Sequence, residues 1–176
     1  MKILFIGPQG SGKSTQAKLL AKYLKITYLS TGDIFRKISL EKSSAEGQRI
    51  RHLLESGHLV DDETTAEIVK KRVTEEDCQN GFILDGYPRN LNQVQLFDPG
   101  FDQAIFLNVP AEQVIERLTK RGRADDTPEL IKKRLELYFN ETQPILNYYR
   151  KLGKLIEIDG QGEIDQIQNK IRDEIS

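Results

Sequence analysis

The chain has 176 residues, 38% hydrophobic and 30% charged, with 26 basic against 27 acidic side chains and a net charge of −1. That length supports one sizeable core, and the composition excludes disordered and fibrous classes. Near-neutrality argues against a general nucleic-acid or membrane-surface binder, which carries a basic excess, so any anion site must come from local clustering.

The first element is the apolar run Ile3-Leu4-Phe5-Ile6, the pattern of a strand buried on both faces of a parallel sheet. It stops at Gly7 with no small-residue cleavage site, which separates it from a signal peptide. No later stretch approaches the ~20 apolar residues of a membrane helix, so a soluble protein is expected. A helical pattern covers Ser14 to Leu24, and Ile26-Thr27-Tyr28-Leu29 is a weaker strand candidate. Thr31 to Leu59 holds helical patterns but no strand-like run, so it is expected outside the main sheet as a small helical subdomain. A helix over Glu63–Val73 precedes the strand Phe82-Ile83-Leu84; the strand Ala104–Leu107 precedes a helix over Ala111–Leu118. The polar break Gly122 to Thr127 suits a mobile flap, and beyond it lie a long helix from Pro128 to about Lys151, the strand Leu155–Ile158 and a terminal helix. Strands alternating with helices imply right-handed crossovers and a parallel sheet covered on both faces. Cys78, the single cysteine, permits neither an intramolecular disulfide nor a four-cysteine zinc site; it reads as a packing or surface residue, and a reducing cytoplasm is expected.

Directly after the first strand, Gly7-Pro8-Gln9-Gly10-Ser11-Gly12-Lys13-Ser14-Thr15 matches G-x-x-x-x-G-K-[ST] with a strand before it and a helix after it. The glycines let backbone N–H groups turn in around phosphates, the helix N-terminus adds partial positive charge, and Lys13 reaches the terminal phosphates. Gly10, Ser11, Gly12, Lys13, Ser14 and Thr15 are thus the candidate nucleotide contacts. The hydroxyls of Ser14 and Thr15, with Asp85 at the end of a buried strand, are the candidates for holding Mg2+ through water. The motif specifies a nucleotide and leaves the reaction open.

Together with Leu29-Ser30-Thr31-Gly32-Asp33-Ile34-Phe35-Arg36, Gly57-His58-Leu59-Val60, Asp85-Gly86-Tyr87-Pro88-Arg89 and Gln93, this loop resembles the adenylate kinase family across nearly the whole chain. The resemblance implies an α/β fold of the P-loop NTPase type: a three-layer α/β/α sandwich on a five-stranded parallel sheet, forming a single kinase domain over 1–176. Within it lie a helical nucleoside-monophosphate-binding subdomain at 30–59 and a short lid at 121–127. It implies an AMP site from Thr31, Arg36, His58, Leu59, Val60, Gly86, Tyr87, Pro88, Arg89 and Gln93, joined by Arg123 and Arg134. It implies ATP contacts from Arg121 and Gly162, and a catalytic set of Lys13, Arg89, Arg121, Arg123 and Arg134. Physics concurs in part, since guanidinium forks match phosphate oxygens and a Gln carboxamide gives paired hydrogen bonds to adenine. Arg117 and Arg121 share a helix face, and Arg134 lies near the apolar stripe marked by Leu130, Ile131 and Tyr138, where a charge wants an anionic partner. For Arg117 a salt bridge or a solvated face weighs equally.

Two departures stand out: the family commonly has proline where Gln9 stands and glycine where Ser14 stands. Longer members insert a lid of ~30 residues, often held by zinc-binding cysteines; with the short Gly122–Thr127 break no structural metal is expected here. The resemblance implies Mg2+ as cofactor, ATP, AMP and ADP as partners with neither nucleic acid nor membrane, a cytoplasmic location and a monomer. Related uridylate and cytidylate kinases tend to carry alanine at the Thr31 position and asparagine at the Gln93 position, with Asn90 a faint echo of them. A non-catalytic ATP-dependent switch is the other alternative, and it would lack Arg36 and Arg89, both present here.

Overall fold

A computed structural model describes residues 1–55, 60–121 and 127–175, with backbone alone at 121, 130, 134 and 137. Five strands, β1 (Lys2–Ile6), β2 (Thr27–Ser30), β3 (Phe82–Asp85), β4 (Gln103–Asn108) and β5 (Leu155–Asp159), form one sheet in the order β2-β3-β1-β4-β5. Every pairing is parallel. The helices are α1 (Lys13–Leu24), α2 (Thr31–Ser39), α3 (Ala45–Glu55), α4 (Asp62–Val73), α5 (Leu91–Leu96), α6 (Ala111–Arg121), α7 (Pro128–Lys151) and α8 (Ile164–Ile175).

Alternation along β1 divides the core into two layers. Leu4 and Ile6 point into a cluster with Ala66, Val69, Tyr87, Ile145 and Tyr149. Ile3 and Phe5 point the other way, toward Ala17, Leu20, Ile167 and Ile171. The sheet is therefore clad by α4 and α7 on one face and by α1 and α8 on the other, because each central strand must be apolar on both sides. The chain winds leftward from β1 to β2 and β3, then crosses to β4 and β5 on the right. That reversal opens a crevice at the carboxyl ends of the central strands, where open α/β sheets bind ligands.

The strand expected at Ile26–Leu29 runs one residue later and includes Ser30, whose side chain also caps α2 by accepting from Asp33 N at 3.4 Å. The short α5, not foreseen, begins at the cap Asn90. α6 continues to Arg121, beyond the expected end at Leu118, and α7 passes through Pro144. Proline there has no N–H for the Asn140 carbonyl, and exposed Asn140 can turn that carbonyl to water. α2 and α3 pack on each other beside the sheet; Gly47 permits this closeness, since a Cβ there would press on the carbonyls of Glu41 and Ile38. Among the described residues no helix is long and apolar enough to cross a membrane.

Candidate active site

Between β1 and α1 the chain turns through Gly10 (φ +88°) and Gly12 (φ +90°), conformations that favour glycine. Ser11 N donates to Pro8 O at 3.1 Å, while Thr15 N and Gln16 N donate to Gly12 O at 3.0 and 3.1 Å. Gly12 caps α1 with no side-chain acceptor, and the first turn carries no acid. The helix therefore presents its first N–H groups and its positive end without an internal anion. The loop sits on α6, because a Cβ at Gly10 would lie 2.8 Å from Leu118 Cγ. Lys13 Nζ folds toward the loop, donating to Pro8 O at 3.3 Å, and stands 4.0 Å from Asp85 Oδ1.

Asp85 ends β3, paired with Phe5 of β1 and Ser30 of β2, and is 4% exposed. Its Oδ2 accepts from Ser14 Oγ at 2.5 Å and from the Tyr28 hydroxyl at 3.1 Å. Burial, then the Asp85 charge, pushes the Tyr28 pKa up to about 12, so the phenol remains a donor at neutral pH. A carboxylate and a hydroxyl converging in this way suit a hard divalent cation that completes its shell with water and phosphate oxygens. Of the two hydroxyls expected here, Ser14 reaches Asp85. Thr15 shows no side-chain bond to it among the described residues.

The next residues turn the strand end into a second wall. Thr31, 1% exposed, donates through Oγ1 to Asp85 O at 3.2 Å. Gly86 has φ +93°, and a Cβ on it would strike Thr31 Oγ1, so only glycine fits. The Tyr87–Pro88 peptide is cis, and the buried Tyr87 hydroxyl is shared between Gln93 O (2.8 Å) and Phe97 O (2.7 Å). Arg89 Nε donates to Gly86 O at 3.0 Å. Arg89 keeps solvent-accessible surface while protein atoms crowd its guanidinium. That crowding lowers its pKa from the ordinary arginine value, against the opposing charges of Asp85 and Glu141. Arginine nonetheless stays charged, and its planar guanidinium presents paired donors that match phosphate oxygens. Arg36 pairs with Asp33 where both side chains are largely exposed, a contact weak enough to be exchanged for a phosphate. Val60 accepts from Thr65 Oγ1 at 3.4 Å at the entrance to α4.

Gln93 is 4% exposed and engaged at both ends: Oε1 accepts from Arg89 N and Nε2 donates to Asp62 Oδ1, each at 2.7 Å. One N–H and one lone pair of the carboxamide remain for a base. Asn90 caps α5: its Oδ1 accepts from Gln93 N at 2.8 Å and its Nδ2 donates to Asp62.

On the far side of the loop, Arg117 donates to Ser11 O at 3.2 Å and to Gly160 O at 3.3 Å. These bonds make it a tie between the phosphate loop and the turn after β5; Asp125 and Asp126, the salt-bridge partners weighed for it, lie outside the described residues. Gly162, φ +108°, lies in that turn, and Gly160 N donates to Asn108 O at 2.9 Å. Beside the turn, Asn108, Asp159 and Gln161 line a cleft of about 240 Å³. Arg117, Tyr28 and Asp62 were absent from the expected site; only the i,i+4 spacing of Arg117 to Arg121 pointed toward one of them. His58, Leu59 and Arg123 lie outside the described residues. Arg121 ends α6 and Arg134 lies in the second turn of α7, with their side chains likewise outside the description.

A family model described as adenylate kinase matches residues 5–154. An adenylate kinase of Bifidobacterium longum is 44% identical over 182 aligned positions covering 97% of each chain. One of Clavibacter michiganensis is 42% identical, over 97% of this chain and 90% of its own. One of Clostridium kluyveri is 36% identical over 205 positions, 29 more than the 176 residues present here, so that relative carries segments this chain lacks. With the phosphate loop, the Asp85–Arg89 strand end and matches spanning nearly its whole length, the chain belongs to the adenylate kinase family.

Proposed function

We propose that the chain catalyses reversible, Mg2+-dependent transfer of the terminal phosphoryl group of ATP to AMP, giving two ADP. The observation that carries this reading is the shared wall formed by the end of β3. Asp85 meets Lys13 and Ser14 of the phosphate loop on one side, while its own carbonyl meets Thr31 and leads through Gly86 to Arg89 on the other. Two anion-binding walls meeting at one strand end suit two nucleotides with their phosphates facing.

Phosphoryl transfer between two polyanions requires in-line positioning and neutralised charge rather than a general base. Lys13 and the loop amides hold the donor phosphates, and Gly162 lies by the donor base. Arg36 and Arg89 hold the acceptor phosphate; Thr31, Val60 and Gln93 face its nucleoside, with His58, Leu59, Tyr87 and Pro88 completing that wall. Arg121, Arg123 and Arg134 close on the moving group. Asp85 and Ser14, with Thr15 nearby, would hold Mg2+, which supplies charge neutralisation on the phosphate oxygens when bound. The 30–59 subdomain and the 121–127 lid close over the pair to exclude water, the rival nucleophile. The chain acts in the cytoplasm, as a monomer.

A coupled assay of ADP formation with Mg-ATP and AMP, GMP, CMP or UMP tests the reading. Turnover confined to AMP is expected. Preference for CMP or UMP overturns the base assignment, and no transfer to any monophosphate overturns catalysis altogether.

A further inference from the structure

Asp62 stands in the first turn of α4, one residue inside the cap Asp61, and is half-buried against α5. Three amide side chains donate to it: Asn90 Nδ2 at 3.2 and 3.1 Å, Asn92 Nδ2 at 2.9 Å and Gln93 Nε2 at 2.7 Å. An ionised carboxylate accepts and never donates, so it selects the nitrogen end of the Gln93 carboxamide. The oxygen end is selected independently by the Arg89 backbone N–H. Turned by half a rotation, the carboxamide would set oxygen against carboxylate and N–H against N–H, two like-with-like contacts in a buried place.

That orientation bears on base choice. A 6-aminopurine offers a donor at position 6 beside an acceptor at N1, whereas a 6-oxopurine offers an acceptor at position 6 beside a donor at N1. The fixed carboxamide pairs with the first pattern, and the turned one with the second. We propose that Asp62 is the positioning residue that locks Gln93 and thereby makes the acceptor site select 6-amino over 6-oxo purine monophosphates. The inference rests on the reading of Gln93 at the acceptor base given above.

The test uses the full chain with Mg-ATP and AMP, IMP or GMP as acceptors. Asp62→Asn keeps the shape but offers an N–H that can face a turned Gln93. The AMP-over-IMP ratio in kcat/KM should fall by on the order of 10-fold, with KM for ATP unmoved, while Asp62→Glu, still acceptor-only, retains the preference. A Gln93→Ala control separates the two ideas. If it leaves KM for AMP unchanged, the acceptor-base reading itself fails. If it raises that KM while Asp62→Asn leaves the ratio intact, only the lock is refuted. A measurement on the unmutated protein removes dependence on how well a variant folds. Nuclear Overhauser contacts from the Gln93 side-chain amide protons to the Asp62 β-protons are expected, and contacts to the Arg89 amide proton in their place overturn the lock.

Discussion

The Lys13 ammonium is held by the loop it belongs to and lies within reach of Asp85, an arrangement that keeps a cation at the strand end. On the proposed function, a phosphate in the loop would compete for that charge with a carbonyl and a carboxylate, favoured by its charge and its number of oxygens. Lys13→Ala should lower kcat by about 10²- to 10³-fold, measured with saturating ATP and AMP, with the melting temperature little changed. Ser14 adds a hydroxyl on Asp85 at a position where the family commonly has none, so the residue that looked like a departure in the loop is tied into the candidate cation site. Tyr28 supports the same carboxylate as a neutral phenol. Its folded pKa is raised from 10.0 to about 12, so the unfolded chain ionises first as pH rises. The stability contribution is therefore full below pH 10 and lost between pH 10 and about 12. Denaturant titrations at pH 8 and pH 11.5 should show wild type losing more stability over this interval than Tyr28→Phe, and equal losses would remove Tyr28 from this role.

At the scale of elements, the entrance of α4 joins parts that carry different duties. Asp61 caps the helix by accepting from Thr64 N at 2.9 Å, and its Oδ2 receives Arg49 of α3 at 2.7 Å. The neighbouring Asp62 turns toward α5. The hydrogen bonds from Thr64 hold the Asp61 carboxyl below its usual pKa of 3.8. For a lowered carboxyl pKa the stabilisation is present above the unfolded value and disappears as pH falls through the folded one. Asp61→Ala should cost ~1 kcal/mol at neutral pH. The gap between wild type and variant, followed by urea unfolding, should close as the pH drops below 3.8. A gap independent of pH would show that the cap is not electrostatic. Gly47 has a comparable role between α2 and α3: it lets α3 lie against the carbonyls of Ile38 and Glu41 at and beyond the end of α2.

For the whole molecule, the α2–α3 pair stands beside the sheet, linked to it through β2, the Thr31 bond to Asp85 of β3 and the Arg49–Asp61 contact at the entrance of α4. The proposed closure over the nucleotides would pivot this unit near Ser30 and Val60. Small-angle scattering should record a smaller radius of gyration with a dinucleotide that joins both adenosines through phosphates than without it. An unchanged radius would refute closure.

What the sequence by itself determined is whatever rests on neighbours along the chain. The phosphate loop is nine consecutive residues between a strand and a helix, so its chemistry survives without any tertiary knowledge. The central strands β1, β3 and β4 announced themselves as unbroken apolar runs, while β2 is weak because Thr27 and Tyr28 are only half-buried at the sheet edge. α5, six residues long, has too few turns to leave a readable period. Tertiary structure alone decided contacts between residues far apart in the chain. Arg117 reaches Ser11 across 106 positions, Tyr28 reaches Asp85 across 57, and Gln93 meets Asp62 across 31. A carboxylate at a helix start reads from sequence as a favourable charge beside the helix dipole, the same whether it faces water or an amide. Only packing α4 on α5, which sets Asp62 against three amides and buries the Gln93 carboxamide among them, turns that ordinary aspartate into an acceptor with a direction.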